Sequence, residues 1–177
     1  MKSMRLFILY ILAVLVCAAC SADKAKDAES SDLHILLPSE PEPAKAVRMP
    51  MSDVTTRFQF QGKACEAQIF RTADETLDKV TDEQGNEFVD NRITLRITTG
   101  GRTLVERAFT KNSFASVVED KFLRHAILEG IVYDTITPQH IVFDASVSYP
   151  QSDLYVPIRL TISAGGHLGM ETVDLLE

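Results

Sequence analysis

From Asp53 onward, apolar and polar residues alternate with a period of two, and turn residues cut the runs at short intervals. Alternation gives each strand one apolar face, so the chain has to lay its strands against a second layer; a helical bundle is excluded. Val54, Thr56, Phe58 and Phe60 share one face, with Thr55, Arg57, Gln59 and Gln61 on the other. Gly62 ends that run, and Cys65 to Phe70 form the next, with Cys65, Ala67 and Ile69 inward. Ile93, Leu95 and Ile97 alternate with Arg92, Thr94, Arg96 and Thr98, and Gly100-Gly101 turns the chain into Thr103 to Thr110 as a hairpin. Ile141 to Tyr149 and Leu154 to Ser163 repeat the pattern, and Gly165-Gly166 folds the latter onto Leu168 to Leu175. Pro157 lies within a strand and cannot donate to a ladder, which places it at an edge or a bulge.

One segment departs from this period. Across Ser113 to His125, Phe114, Val117, Val118 and Phe122 recur at helical spacing. Ser116 and Glu119 have the spacing of a capping box. Acids come early and Lys121, Arg124 and His125 late, as the helix dipole favours. Ala126 to Thr135 then resumes the sheet. The expected fold is mainly β (α+β): an antiparallel sandwich or open barrel of about seven or eight strands with one short helix. No internal repeat is evident.

The chain has 177 residues, 45% of them apolar, enough for one core that stands without disulfides or metal. Acids outnumber bases 25 to 18, for a net charge of −7. That excludes nucleic acid as a partner and a polybasic hold on anionic lipid, both of which draw on clustered Lys and Arg.

The N-terminus reads as an address. Lys2 and Arg5 precede an uncharged run of 14 residues, Leu6 to Ala19. This is a secretory leader, too short for a transmembrane helix, which needs about 20 apolar residues. Cys17-Ala18-Ala19-Cys20 resembles the lipobox of bacterial lipoproteins, in which small residues precede a cysteine that is acylated and becomes the new N-terminus. Cys17 stands where that pattern prefers Leu. An ordinary signal peptide cut near Ala19 is the competing reading. Lipidation of Cys20 is preferred because it leaves Cys65 as the single thiol, and Cys65 lies on an inward strand face with no base beside it. Loss of the leader takes the net charge to −9.

Composition changes near residue 52. Residues 21–52 hold four of the seven prolines and none of the eight glycines, the make-up of a polar spacer with a reach of about 30 Å. The expected organisation is therefore a signal peptide over 1–19, a lipidated tether over 20–52 and one β-rich domain over 53–177. Leu33-His34-Ile35-Leu36-Leu37 is an apolar patch within the spacer, read as an extra edge strand or a recognition segment.

Motifs for chemistry are sparse. Asp74 to Asp90 holds seven acids and one base, Lys79. An EF-hand count fails there, since Gly85 as sixth position puts Val80 first and Asn91 twelfth. Asp82-Glu83-Gln84-Gly85 reads instead as a type I turn joining Thr76–Thr81 to Asn86–Val89 in a solvated hairpin. His34, His125, His140 and His167 are scattered and have no metal-ligand spacing. A triad from His140, Asp144 and Ser146 or Ser148 is rejected, because the acid and serines alternate on one strand face and no nucleophile elbow is present. Gly165 to Gly169 lacks the Lys of a phosphate loop and reads as a turn. Tyr133, Tyr149 and Tyr155 are either a binding platform or the rim of the core. No residue is assigned to catalysis, a cofactor or a metal.

Taken whole, the chain resembles the short lipoproteins of unknown function of gut-dwelling Gram-negative anaerobes. The likeness rests on the Cys20 leader, the tether, and the stretches Ala126 to Asp134 and Ser152 to Val156. It implies a cell-envelope location and no activity. Ser21, where an Asp would retain such a protein in the inner membrane, implies passage to the outer membrane. Two functions are expected from different classes. The first is a binding module moored through its N-terminal lipid, with a protein, peptide or glycan partner. The second is an envelope or surface hydrolase acting on a polymer such as a glycan, with carboxylates drawn from separate strands.

Overall fold

The computed structural model describes residues 45–173. The leader, Cys20, His34, and the Leu33–Leu37 patch lie outside them. No helix among the described residues is long and apolar enough to cross a membrane.

Ten strands follow in order: β1 (Ser52–Phe60), β2 (Lys63–Ala73), β3 (Val80–Thr81), β4 (Glu87–Phe88), β5 (Asn91–Thr99), β6 (Arg102–Phe109), β7 (Ile127–Ile136), β8 (His140–Ser148), β9 (Tyr155–Ser163) and β10 (Leu168–Thr172). Two antiparallel four-stranded sheets form, β1-β2-β5-β6 and β10-β9-β8-β7, with β3 and β4 as a separate small hairpin. Each large sheet is an up-and-down meander, the first interrupted by the β3–β4 excursion. The chain passes between sheets once, from β6 to β7. The outcome is a sandwich rather than a barrel.

Local sequence explains the pairings. Gln61-Gly62 and Gly100-Gly101 all have positive φ (49°, 74°, 54° and 79°), the requirement of two-residue turns whose twist matches the flanking strands. The first turn closes β1 on β2 with Phe60 opposite Lys63, and that register puts Cys65, Ala67 and Ile69 inward as their alternation predicts. Ile93, Leu95 and Ile97 of β5 meet Ile141, Phe143, Ala145 and Val147 of β8 and Ile158, Leu160 and Ile162 of β9 in one core. Val54 is an exception, exposed at 51% on the edge strand β1, where it lines a cleft with Gly130 to Tyr133 of β7. Pro157 sits in β9, an interior strand. Its carbonyl accepts from Val173 N–H just past the last residue of β10, so the missing N–H faces the place where the neighbouring strand ends.

The helix expected over Ser113–His125 is broken in two. A 3₁₀ turn occupies Lys111–Phe114, and a single α turn, α1, occupies Asp120–Leu123, with Glu119 extended between them (φ −63°, ψ 138°). Straightening this stretch would carry Val118 away from the core, and the break lets Phe114, Val118 and Leu123 all point into it. The Ser116–Glu119 capping box is not formed. Thr110 N–H instead donates to Ser113 Oγ at 3.1 Å, and Glu119 precedes α1 without a side-chain cap.

A buried polar node joins the two sheets. Asp90 and Asn91, at the entry to β5, bracket Leu128 of β7: Asp90 Oδ1 accepts from Leu128 N–H at 2.8 Å, and Asn91 Nδ2 donates to Leu128 C=O at 2.9 Å. Asp90 Oδ1 also accepts from Asn91 N–H at 2.7 Å. Lys111 donates to Ala126 C=O at 2.9 Å, and its Nζ lies 3.8 Å from Asp90 Oδ2. Asp90 is 1% exposed, which corrects the reading of the acidic segment as solvated throughout. Burial pushes the Asp90 carboxyl above its ordinary value, opposed by the N–H groups of Leu128 and Asn91 and by Lys111. Removing the acid strands both a buried N–H and a buried ammonium. Asp90→Ala is therefore expected to cost about 3–5 kcal/mol, and Asp90→Asn, which keeps one acceptor, distinctly less. Urea denaturation of the purified variants measures both, and an Asp90→Ala protein as stable as the wild type would remove the node's structural role.

Candidate functional site

A cleft with an apolar floor and a polar rim lies where the chain enters the sandwich. Its volume is about 360 Å³. The floor is Phe88, Val89 and Ile127; one wall is formed by residues 47–50 and the other by the loop after β8, Tyr149 to Asp153. These residues come from four separate parts of the chain, and each wall is tied down.

The first wall is held by a parallel bridge between Val47 and Phe88, with Val47 N–H donating to Glu87 C=O at 2.7 Å and Val89 N–H to Val47 C=O at 2.9 Å. Met49 packs on Val80, Phe88 and Ile127, and Arg48 pairs with Glu75. Arg71 of β2 clamps both sides, donating from Nη1 to Glu129 C=O at 2.7 Å and from Nη2 to Pro50 C=O at 3.3 Å. Residues 45–51, ascribed to the spacer from composition, thus contribute a wall. Their alternation of Val47, Met49 and Met51 was the available signal.

The second wall is a self-bonded loop. Tyr149 N–H donates to Leu154 C=O at 2.9 Å, and Ser152 Oγ both donates to Tyr149 C=O (3.1 Å) and accepts from Leu154 N–H (3.2 Å). Gln151 adopts φ 53° at its tip. The Tyr149 ring stacks on Phe122 at 4.6 Å and meets His125 edge-on at 6.1 Å, so α1 braces this wall from behind. An apolar floor with a polar rim of Arg48, Glu129, Gln151, Ser152 and Asp153 is the lining of a site that buries part of a ligand and orients it through a few polar groups. Ile127 and Glu129 belong to the stretch 126–134, and Ser152 and Asp153 to the stretch 152–156.

The remaining sequence candidates are dispersed. Cys65 is buried, its Sγ 3.6 Å from Lys63 C=O, as a structural thiol. Asp144 and Ser146 share the outer face of β8, but His140 on that strand lies about 13 Å from Asp144 and 20 Å from Ser146 by strand rise. Ser146 Oγ instead donates to Glu129 Oε2 at 3.2 Å, and Ser148 is buried. No triad is assembled from these residues. The three tyrosines make no common platform: Tyr133 stacks on Phe58 at 4.9 Å and meets Phe143 edge-on, Tyr149 lies in the cleft wall, and Tyr155 is exposed on β9. Gly165 to His167 form the β9–β10 turn, with Gly166 at φ 81°.

The acidic segment forms the expected hairpin, with Gly85 at φ 85° and its N–H donating to Asp82 C=O at 3.1 Å. Five of its seven carboxylates, those of Asp74, Glu75, Asp82, Glu87 and Asp90, meet protein partners. Asp82 accepts from the N–H groups of Gln84 and Asn86 and from Asn86 Nδ2, and Glu87 pairs with Lys79 at 3.0 Å. Among the described residues no group of three His, Cys, Asp or Glu is gathered to hold a metal ion. Asp74 Oδ1 accepts from the Thr76 hydroxyl at 2.6 Å and N–H at 2.9 Å, while Oδ2 accepts from Arg92 Nε at 2.6 Å.

These contacts, led by the Thr76 hydroxyl and then its N–H and Arg92, hold the Asp74 carboxyl at about 2 against an ordinary 3.8. A carboxyl depressed on folding contributes stability that is full above about pH 4 and is lost as pH falls toward 2. Asp74→Asn is accordingly expected to lower Tm at neutral pH, with the gap to wild type closing below about pH 4. Melting curves across that range check it; a gap that stays constant with pH would refute the assignment.

Among proteins of curated function none matches this chain. Residues 34–170, well over half of the chain and including both cleft walls, match the family described as "Domain of unknown function (DUF4738)". The chain belongs to that family.

Proposed function

We propose that this protein is an exported lipoprotein, acylated at Cys20, whose β-sandwich acts as a binding module at the cell envelope. The observation that carries the reading is the leader ending in Cys17-Ala18-Ala19-Cys20 after a 14-residue apolar run, followed by a proline-bearing polar spacer. Acyl chains on one thiol would moor the domain to a bilayer, and two or more chains are needed for stable anchoring. Ser21 after the cysteine supports transit to the outer membrane. The binding surface is assigned to the cleft lined by Phe88, Ile127, Glu129, Tyr149 and Ser152, because its walls are held in place by main-chain bonds before any ligand arrives. Its partner is a protein, peptide or glycan of the envelope.

A second reading rests on Glu129 and Asp153 lining that same cleft. Two carboxylates from separate elements are the raw material of a glycosidase, which would make the module a hydrolase of an envelope polymer.

Mass spectrometry of the native product is expected to show an acylated N-terminal Cys20, and Cys20→Ser to release the protein from the membrane fraction. An unmodified terminus in the native product would end the lipoprotein reading. For the cleft, the mature protein serves as bait on solubilised envelope, with Ser152→Arg as the blocked control. Enrichment that Ser152→Arg abolishes supports the module. Enrichment identical in both places the binding elsewhere, and polymer cleavage abolished by Glu129→Gln favours the hydrolase.

A further inference from the structure

We infer that the outer edge of β1 is a self-association surface, along which two copies of this chain pair antiparallel about a two-fold axis at Thr55.

The four sheet edges are treated differently. β7 carries two register shifts, at Leu128/Gly130 and Tyr133/Thr135, and β10 is only five residues long. β6 pairs through a shift at Ile97/Thr98 and bears Arg102, Glu106 and Arg107. Bulges, shortness and charge are the devices that keep an edge from recruiting another strand. β1 has none of them to that degree: nine residues pair with β2 without a shift, with no proline or lysine and two charges, Asp53 and Arg57. Among the described residues no strand lies on its other side.

The backbone polarity of β1 limits how a second strand can add. The two-residue turn closes on Phe60 and Lys63, so even-numbered residues of β1 direct N–H and C=O to β2, and odd-numbered ones direct theirs to the free edge. The Ala64 carbonyl, accepting from Gly100 N–H on the far side of β2, agrees with this phase. A second β1 must therefore set odd residues opposite odd residues. Registers centred on Asp53 or on Arg57 place like charges opposite each other, and those centred on Val54 or Thr56 set Asp53 and Arg57 opposite uncharged residues. The register centred on Thr55 places Asp53 opposite Arg57 of the second copy, twice by symmetry, on the same face of the joined sheet. It also sets the exposed Val54 opposite Thr56 of the second copy in a non-hydrogen-bonded pair, where side chains approach most closely. The β1-β2-β5-β6 sheets of the two copies then become one sheet of eight strands. This inference does not depend on the proposed function.

The test uses the full-length protein in its native cells, in whichever fraction it is found. In Thr55→Cys the two introduced thiols would face each other across the axis at about 5.5 Å between Cα atoms, within disulfide range. In Asp53→Cys or Arg57→Cys like positions would be about 13 Å apart, out of range. Mild oxidation is expected to give a disulfide dimer from Thr55→Cys alone, with the wild-type cysteines setting the background. Adding Asp53→Arg to Thr55→Cys should cut cross-linking about tenfold by opposing like charges, and adding Arg57→Asp as well should restore it, which also shows that the variants fold. No dimer from Thr55→Cys, equal yields at positions 53, 55 and 57, or no rescue by the charge exchange would overturn the pairing.

Discussion

The sandwich depends on one buried polar contact, the bracketing of Leu128 by Asp90 and Asn91. Within the core the layers meet through aliphatic and aromatic side chains, which reward proximity without fixing how one sheet sits over the other. Hydrogen bonds to a single residue's N–H and C=O do fix it. They tie Asp90 and the first residue of β5 to the second residue of β7, so the crossing from β6 to β7 ends at a defined point. Lys111 anchors that crossing at both of its ends, standing 3.8 Å from Asp90 and bonding Ala126. A buried carboxylate is tolerated there because its oxygens meet donors and an ammonium rather than hydrocarbon.

The same node positions the cleft. Val89 precedes Asp90, and Ile127 precedes Leu128, so two of the three floor residues adjoin the node. Arg71 then extends the connection by reaching from β2 to Pro50 and Glu129. A cleft built this way has little freedom to collapse when empty, and that is the physical case for reading it as a binding surface. Its rim carries charges of both signs, Arg48 against Glu129 and Asp153, which suits a polar polymer better than a lipid.

Much of the fold was legible in the sequence. The alternation around Ile93, Leu95 and Ile97 and the turns at Gly100-Gly101 and Asp82–Gly85 stand as read, because each depends on neighbours within a few residues, while the strands flanking Asp82–Gly85 are only two residues each. The helix was misjudged for a related reason. Phe114, Val117, Val118 and Phe122 do have helical spacing, but the core takes Phe114, Val118 and Leu123, and the chain breaks at Glu119 to deliver them. The cleft was scarcely legible at all. Its walls come from residues 47–50 and 149–153, about a hundred positions apart, and neither bears a motif.

What the sequence determined by itself was local: strand faces, turn positions and the mainly β class. Only the tertiary structure decided which acid of the segment 74–90 is buried. Composition treats Asp90 like its neighbours, and its burial follows from meeting Leu128 and Lys111, 38 and 21 residues on. It likewise decided that the strands close as a sandwich with four edges, since an edge is defined by the strand that fails to arrive beside it. Periodicity records which way a side chain points; contact between distant segments is settled by packing, and packing is a property of the whole fold.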